Sequence, residues 1–173
     1  MPLTPCQACE IPAIADLVNS AYRDRSGQGW TSEADYLEGA RTSAADLTRD
    51  LAAQPNARLL AFRDEGEAEI LGCVWLEPAG EGAWYLGMLT IRPDLQDRRL
   101  GRSLLDAAEA AAAELGARRI RMTVVNVRDS LIAWYQRRGY RPTGEVLPFP
   151  YEGEPFGRPK RDDLAFVVLE KPL

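Results

Sequence analysis

A mixed α/β fold is predicted for this chain, with a mostly antiparallel central sheet of about seven strands flanked by about four helices. Three observations predict it. Residues 58–63, 70–77 and 83–91 read as strands, and the turn-forming Asp64-Glu65-Gly66-Glu67 and the stretch 78–82 separate them. Such a run is the pattern of an antiparallel meander. A long helical pattern and a further strand follow, and a strand–helix–strand unit pairs its strands in parallel across a right-handed crossover. The whole order reads β-α-α-β-β-β-α-β-α-β-β, which calls for helices on both faces of one sheet.

Each element has its own signal. Residues 3–10 read as a short first strand. Pro12 suits the first turn of a helix, and Ile14, Leu17, Val18 and Tyr22 recur at helical spacing to about Tyr22. Residues 24–41 are polar and glycine-rich and read as a loop with room for one helical turn. Ser43 with Asp46 resembles a capping box opening a helix to about Ala53. After the meander, Pro93 ends the third strand. Leu100, Leu104, Leu105, Ala108, Ala111, Ala112 and Leu115 then mark one face of a long helix, with Gly116 as its C-terminal cap. Ile120, Met122 and Val124 alternate as a strand. Leu131, Trp134 and Tyr135 lie on a helix stopped at Gly139. Residues 140–147 and 164–169 are the last two strands, separated by a loop rich in Pro and Gly over 148–159.

Composition narrows the chemistry. A chain of 173 residues suits one domain and can bury a core without disulfides or metals. Apolar residues at 46% and charged residues at 27% are ordinary globular proportions, which excludes a disordered chain. No apolar run approaches the roughly 18 residues of a membrane span. The opening Met-Pro-Leu-Thr-Pro-Cys lacks the basic-then-apolar pattern of a secretory signal. A cytoplasmic location without a membrane partner is expected. The chain has no histidine. That excludes Ser-His-Asp and Cys-His catalysis and His-ligated metals together, so proton transfer falls to Tyr, Asp, Glu, Lys, Cys or water. Cys6 and Cys9 form a C-x-x-C. A structural zinc needs about four ligands and no second pair is present; a redox turn and two small residues of the first strand stay open as readings. No metal site is expected.

Charge divides the chain. Residues 1–90 hold 6 Lys+Arg against 14 Asp+Glu, and residues 91–173 hold 15 against 12. An acidic front and a basic back suggest two partners, the plain alternative being a solvated surface. No single basic stripe dominates, which disfavours nucleic acid.

The chemistry concentrates in Gln96-Asp97-Arg98-Arg99-Leu100-Gly101-Arg102-Ser103, between a strand's end and a long helix's start. A helix N-terminus carries free N–H groups and partial positive charge and binds phosphate. Gly101 permits close backbone approach, and Arg98, Arg99 and Arg102 add charge. The segment reads either as a pyrophosphate cradle or as a basic strand-to-helix turn with a routine glycine.

The run Tyr85-Leu86-Gly87-Met88-Leu89-Thr90-Ile91-Arg92-Pro93-Asp94-Leu95-Gln96, continuing through Gly101-Arg102-Ser103-Leu104-Leu105, resembles the acetyl-CoA motif of the GNAT N-acetyltransferase superfamily. So does Leu131-Ile132-Ala133-Trp134-Tyr135-Gln136-Arg137-Arg138-Gly139-Tyr140. The match covers residues 83–144, and the element order agrees with that fold over nearly the whole chain. The resemblance implies one acetyl-CoA-dependent N-acetyltransferase domain over residues 1–173, with acetyl-CoA as acyl donor and a small-molecule or peptide amine as acceptor. Homodimerisation is compatible with it. Leu89 and Ile91 fall where the family's bulged strand meets pantetheine. The turn from Gln96 to Gly101 grips pyrophosphate. Tyr135 matches the tyrosine that protonates the departing thiolate. Two positions depart: Arg99 stands where the family usually has its first glycine, and Arg128 where it often has asparagine, leaving Asn126 as the pantetheine candidate. A non-catalytic acyl-CoA-binding sensor on the same scaffold is the alternative.

Glu77, or Glu33, Asp35 or Glu38 in the loop, is the candidate general base, a water chain being the other route. The acidic loop with Asp24, Glu33, Asp35, Glu38, Trp30 and Tyr36 leads to the expectation of a small cationic amine as acceptor.

Overall fold

The computed structural model describes residues 3–23 and 31–173, apart from the Asp97 side chain. Asp24 and Trp30 of the expected acceptor loop lie outside the described residues. In chain order the described elements are β1 (Leu3–Pro5), α1 (Ile11–Tyr22), β2 (Leu37–Glu38), α2 (Ala44–Ala53), β3 (Arg58–Phe62), β4 (Gly72–Pro78), β5 (Ala83–Ile91), α3 (Leu100–Glu114), β6 (Arg119–Val125), α4 (Asp129–Gln136), β7 (Arg141–Pro148), β8 (Arg158–Pro159) and β9 (Ala165–Pro172).

Seven strands form one sheet in the order β1-β3-β4-β5-β6-β9-β7. Every neighbouring pair is antiparallel except β5 and β6, which run parallel. The predicted meander and crossover are both present. α1 and α2 cover one face, where Ile14, Val18 and Leu47 meet Leu59, Ala61, Cys73 and Trp75. α3 covers the other through Leu104, Leu105, Ala108 and Ala112, against Phe62, Val74, Leu76, Ile120 and Met122. Ser43 caps α2 as expected: its hydroxyl accepts from the Asp46 amide at 3.1 Å and donates to Asp46 Oδ2 at 2.6 Å. Among the described residues no helix is long and apolar enough to cross a membrane.

Two expectations are corrected. The first strand ends at Pro5, not Glu10, because the Glu10 carboxylate turns back to accept the Gln7 amide at 2.8 Å and winds Ala8–Glu10 into a 3-10 turn. Cys6 and Cys9 therefore sit outside the sheet as free thiols. The loops at 31–41 and 148–159 are not wholly irregular either. β2 and β8 pair antiparallel, Leu37 with Pro159 and Glu38 with Arg158. A third apolar cluster of Tyr36, Leu37, Val125, Phe149 and Leu164 lies beneath them.

The feature that positions a site is the parting of β5 from β6. Their register covers only Ala83–Tyr85 against Arg119–Arg121. Beyond it β5 carries a bulge: Trp75 faces Gly87 and Cys73 faces Thr90, so Met88 and Leu89 share the place opposite Val74. Met88 takes the left-handed φ of 49°. The buried Thr90 hydroxyl donates to the Met88 carbonyl at 2.9 Å and holds the bulge. Because one residue is added, Leu86 and Leu89 both face α3 although three positions apart.

Candidate active site

A cleft of about 360 Å³ opens where β5 and β6 separate, between the bulged end of β5, the start of α3 and one face of α4. Leu89, Ile91, Gln96, Arg99, Gly101 and Arg102 line it from the β5–α3 side; Leu131, Trp134, Tyr135 and Arg138 line it from α4 and its end. The resemblance motifs, far apart in sequence, thus become facing walls.

The turn into α3 explains its residues. Pro93–Arg98 winds as a 3-10 turn, and Arg99 reverses the chain with φ 62° and ψ 8° before α3 begins. A non-glycine residue there costs about 1 kcal/mol. The Arg102 and Ser103 amides return to the Arg99 carbonyl at 3.1 and 3.3 Å. The Leu100 and Gly101 amides ahead of them are ones the helix cannot satisfy within itself. A Cβ on Gly101 would meet only Trp134 Cζ2, at 3.8 Å, so nothing in the protein demands glycine; the space it leaves is cleft.

The other expected residues fall differently. Gln96 ties the turn down, its amide donating to the Ile91 carbonyl at 3.2 Å and to Thr31 Oγ1 at 3.3 Å. Leu100 packs on the α3 core. Arg98 and Ser103 are exposed and are not among the cleft's lining residues. Asn126 is not brought to the cleft: its amide donates to the Asp163 carbonyl and its oxygen accepts from the Ala165 amide, both at 2.9 Å, clamping the end of β6 to the start of β9. The Asp97 side chain lies outside what is described.

Electrostatics favour a polyanion. Arg99, Arg102, Arg128 and Arg138 are among the described lining residues, and no carboxylate is. The Arg138 guanidinium lies 3.5 Å from the Trp134 ring centroid and donates from Nη1 to the Trp134 carbonyl at 2.8 Å. Its Nε is buried without a hydrogen-bond partner. Desolvation, then repulsion from Arg102 and Arg137, holds the group below its ordinary value. An anion would relieve all three. The residues present therefore fit a cofactor with several phosphates.

Tyr135 is buried at the inner end of the cleft, edge-on to Trp134 at 5.0 Å and to Tyr140 at 5.6 Å. Burial pushes its phenol well above the ordinary range, with the neighbouring Tyr22 phenol as the next cause. Tyr22, Leu89, Arg128, Leu131 and Tyr135 also line a second, smaller recess of about 90 Å³ on the α1 side. The two spaces meet at these residues.

The recess redraws the expected acceptor loop. Glu33 reaches it and is buried, with Oε2 3.2 Å from Arg23 Nη1 and Oε1 3.8 Å from Arg128 Nη1. Glu38 pairs with Arg158, and Asp35 is exposed. Glu77 accepts the Trp75 indole N–H at 2.7 Å and lines neither space. Arg23 staples the wall, donating to the carbonyls of Gly39 at 2.5 Å and of Phe156. Sequence reasoning missed Tyr22, Arg41, Arg138 and the aromatic group Phe149, Phe156 and Phe166. Only Arg138 had a local signal, four residues after Trp134 in the turn that follows the helix carrying Tyr135.

Comparison with known proteins agrees with this geometry. The family model described as the acetyltransferase (GNAT) family matches residues 13–140. No curated protein matches the sequence. Among solved structures, a ribosomal-protein-alanine N-acetyltransferase from Brucella melitensis aligns over 100% of both chains at 17% identity with a TM-score of 0.68. An IAA acetyltransferase from Bacillus cereus covers 99% of this chain and 98% of its own, at 18% identity and 0.64. A GNAT family acetyltransferase from Elizabethkingia anophelis with acetyl-CoA bound covers 73% of this chain and 82% of its own, at 18% identity and 0.61. At these identities the likeness is one of fold.

Proposed function

The chain belongs to the acetyltransferase (GNAT) family of acyl-CoA-dependent N-acyltransferases, and from that premise we propose that it moves an acetyl group from acetyl-CoA to an amine by direct attack, with Tyr135 as general acid. The observation that carries the reading is the junction of the two spaces. An arginine-lined cleft that suits a phosphorylated donor meets a separate recess for an acceptor at Leu89 and Tyr135.

In this reading the Leu100 and Gly101 amides and Arg99, Arg102 and Arg138 hold the phosphates. The bulged end of β5 holds the pantetheine arm, with backbone N–H groups near Leu89 turned to the oxyanion that forms on the attacked carbonyl. Bound acetyl-CoA supplies a thioester whose carbonyl carbon takes the amine and whose sulfur leaves as thiolate. Tyr135 gives that sulfur its proton, and the proton shed by the attacking amine leaves through water and restores the phenol. In water a thiol titrates near ~8.5 and a phenol near ~10. Burial raises the Tyr135 phenol further, which keeps it protonated and able to donate as the thiolate departs.

Gly101→Glu tests the reading. It places bulk and negative charge at the cleft wall where phosphate would lie. The variant should keep the wild-type unfolding midpoint and lose both calorimetric binding of acetyl-CoA and acceptor-dependent thiol release. Unchanged affinity in the folded variant would overturn the assignment of this cleft to the donor.

A further inference from the structure

We propose that the acceptor is a small molecule bearing a carboxylate beside its amine, a free amino acid or close analogue, and that Arg41 holds the carboxylate. This rests on the acyl transfer proposed above and names its substrate class.

Arg41 lines the acceptor-side recess. Its guanidinium lies 4.5 Å from the Phe156 ring centroid and 5.5 Å from that of Tyr22. Among the described residues it forms no ion pair and its side chain makes no hydrogen bond. A partly buried guanidinium with five donors, set among ring faces and without an acceptor among the described residues, keeps those donors accessible to a ligand. The ring faces hold the cation in place, and a carboxylate would take up its open donors through paired, charge-assisted hydrogen bonds.

The position is fixed in advance. Asn19 on α1 accepts the Arg41 amide at 2.6 Å and the Thr42 amide at 3.2 Å, and donates to the Thr42 carbonyl at 2.9 Å. The backbone of Arg41 is thereby pinned to a helix, so a ligand would not have to order it.

The surroundings select the sign of the ligand. The carboxylate nearest at hand, Glu33, already faces Arg23 and Arg128 with its two oxygens. The described charged residues lining the recess are Glu33, Arg41 and Arg128, leaving one positive charge in excess. That excess repels a polyamine and draws an anion. The remaining wall is largely apolar or aromatic, including Leu37, Met88, Phe149 and Phe166, and the volume is about 90 Å³. Those walls suit a compact apolar side chain. A carboxylate on Arg41 leaves the amine of the same molecule to face the wall shared with the donor cleft.

The test compares free amino acids from alanine to methionine with their carboxamides and with the matching amines that lack the carboxyl group. Carboxamides have the less basic amine, so any preference for the carboxylate comes from the protein. Wild-type kcat/KM should favour the best amino acid over its carboxamide by about 10- to 100-fold. Arg41→Gln should erase that preference at unchanged acetyl-CoA affinity, and Arg41→Lys should restore part of it. Calorimetry of the same series on the protein saturated with coenzyme A reads the selectivity without turnover. Transfer or binding that favours carboxamides or simple amines, or a carboxylate preference that survives Arg41→Gln, would overturn the proposal while leaving acyl transfer in place. Carboxylate-selective binding that depends on Arg41 but leads to no transfer would support it and sink the catalytic reading instead.

Discussion

Tyr135 sets the pH behaviour of the proposed reaction. Its burial pushes the phenol above its ordinary value. A general acid acts while protonated, so a raised value preserves the donor to higher pH. The rate should therefore climb as the acceptor amine loses its proton and then stay level, with no falling limb from this group below about pH 10. Tyr135→Phe should lower kcat by roughly 10²–10⁴-fold while acetyl-CoA affinity stays nearly intact. Wild-type turnover in the variant, or an alkaline limb below pH 9 that the substitution removes, would contradict the role. Arg99 shows the opposite case, a side chain tolerated in spite of its backbone. The left-handed turn the family usually gives to glycine is made here by arginine, which adds a charge to the cleft in exchange for a small strain.

The elements that carry the site depend on close strand contact at the start of β4. A Cβ on Gly72 would lie 2.5 Å from the Thr90 carbonyl oxygen and 2.7 Å from Ile91 Cδ1. Gly72→Ala should thus force β4 from β5 next to the bulge and cost about 1–3 kcal/mol. A lower urea midpoint at unchanged slope, with weaker acetyl-CoA binding, is the expected result; an unchanged midpoint would show that the strands yield freely. Long elements were legible in the sequence because their signals are local. β5 occupies Ala83–Ile91 as predicted, α2 begins after its Ser43 cap, and α3 follows its apolar face. β2 and β8 were not legible. Each has two residues, they lie about 120 positions apart, and Arg23 and the aromatic cluster hold them in place. No periodicity reports a contact of that kind. Asn126 shows the same limit: its motif-like position suggested a ligand contact, and its amide is spent on β9.

At the scale of the whole molecule the charge division was half readable. The basic half does supply the cleft, through Arg99, Arg102, Arg128 and Arg138. Among the described residues lining the recess, the acidic half presents only Glu33, and Glu33 and Glu38 fold onto arginines drawn from both halves. Charge counted along a chain cannot show which charges cancel in space. Topology does more than charge to define the site: one parallel pair in an otherwise antiparallel sheet parts after three residues, and both spaces lie along that parting. The claim that this opening is a catalytic centre is tested most directly by the thiol released from acetyl-CoA with and without an amine, counted against the N-acetylated product by mass spectrometry. The account predicts acceptor-dependent release with one product molecule per thiol. Tight acetyl-CoA binding with release that no amine in the panel accelerates would contradict it, and would make the chain an acyl-CoA-binding module in place of an enzyme.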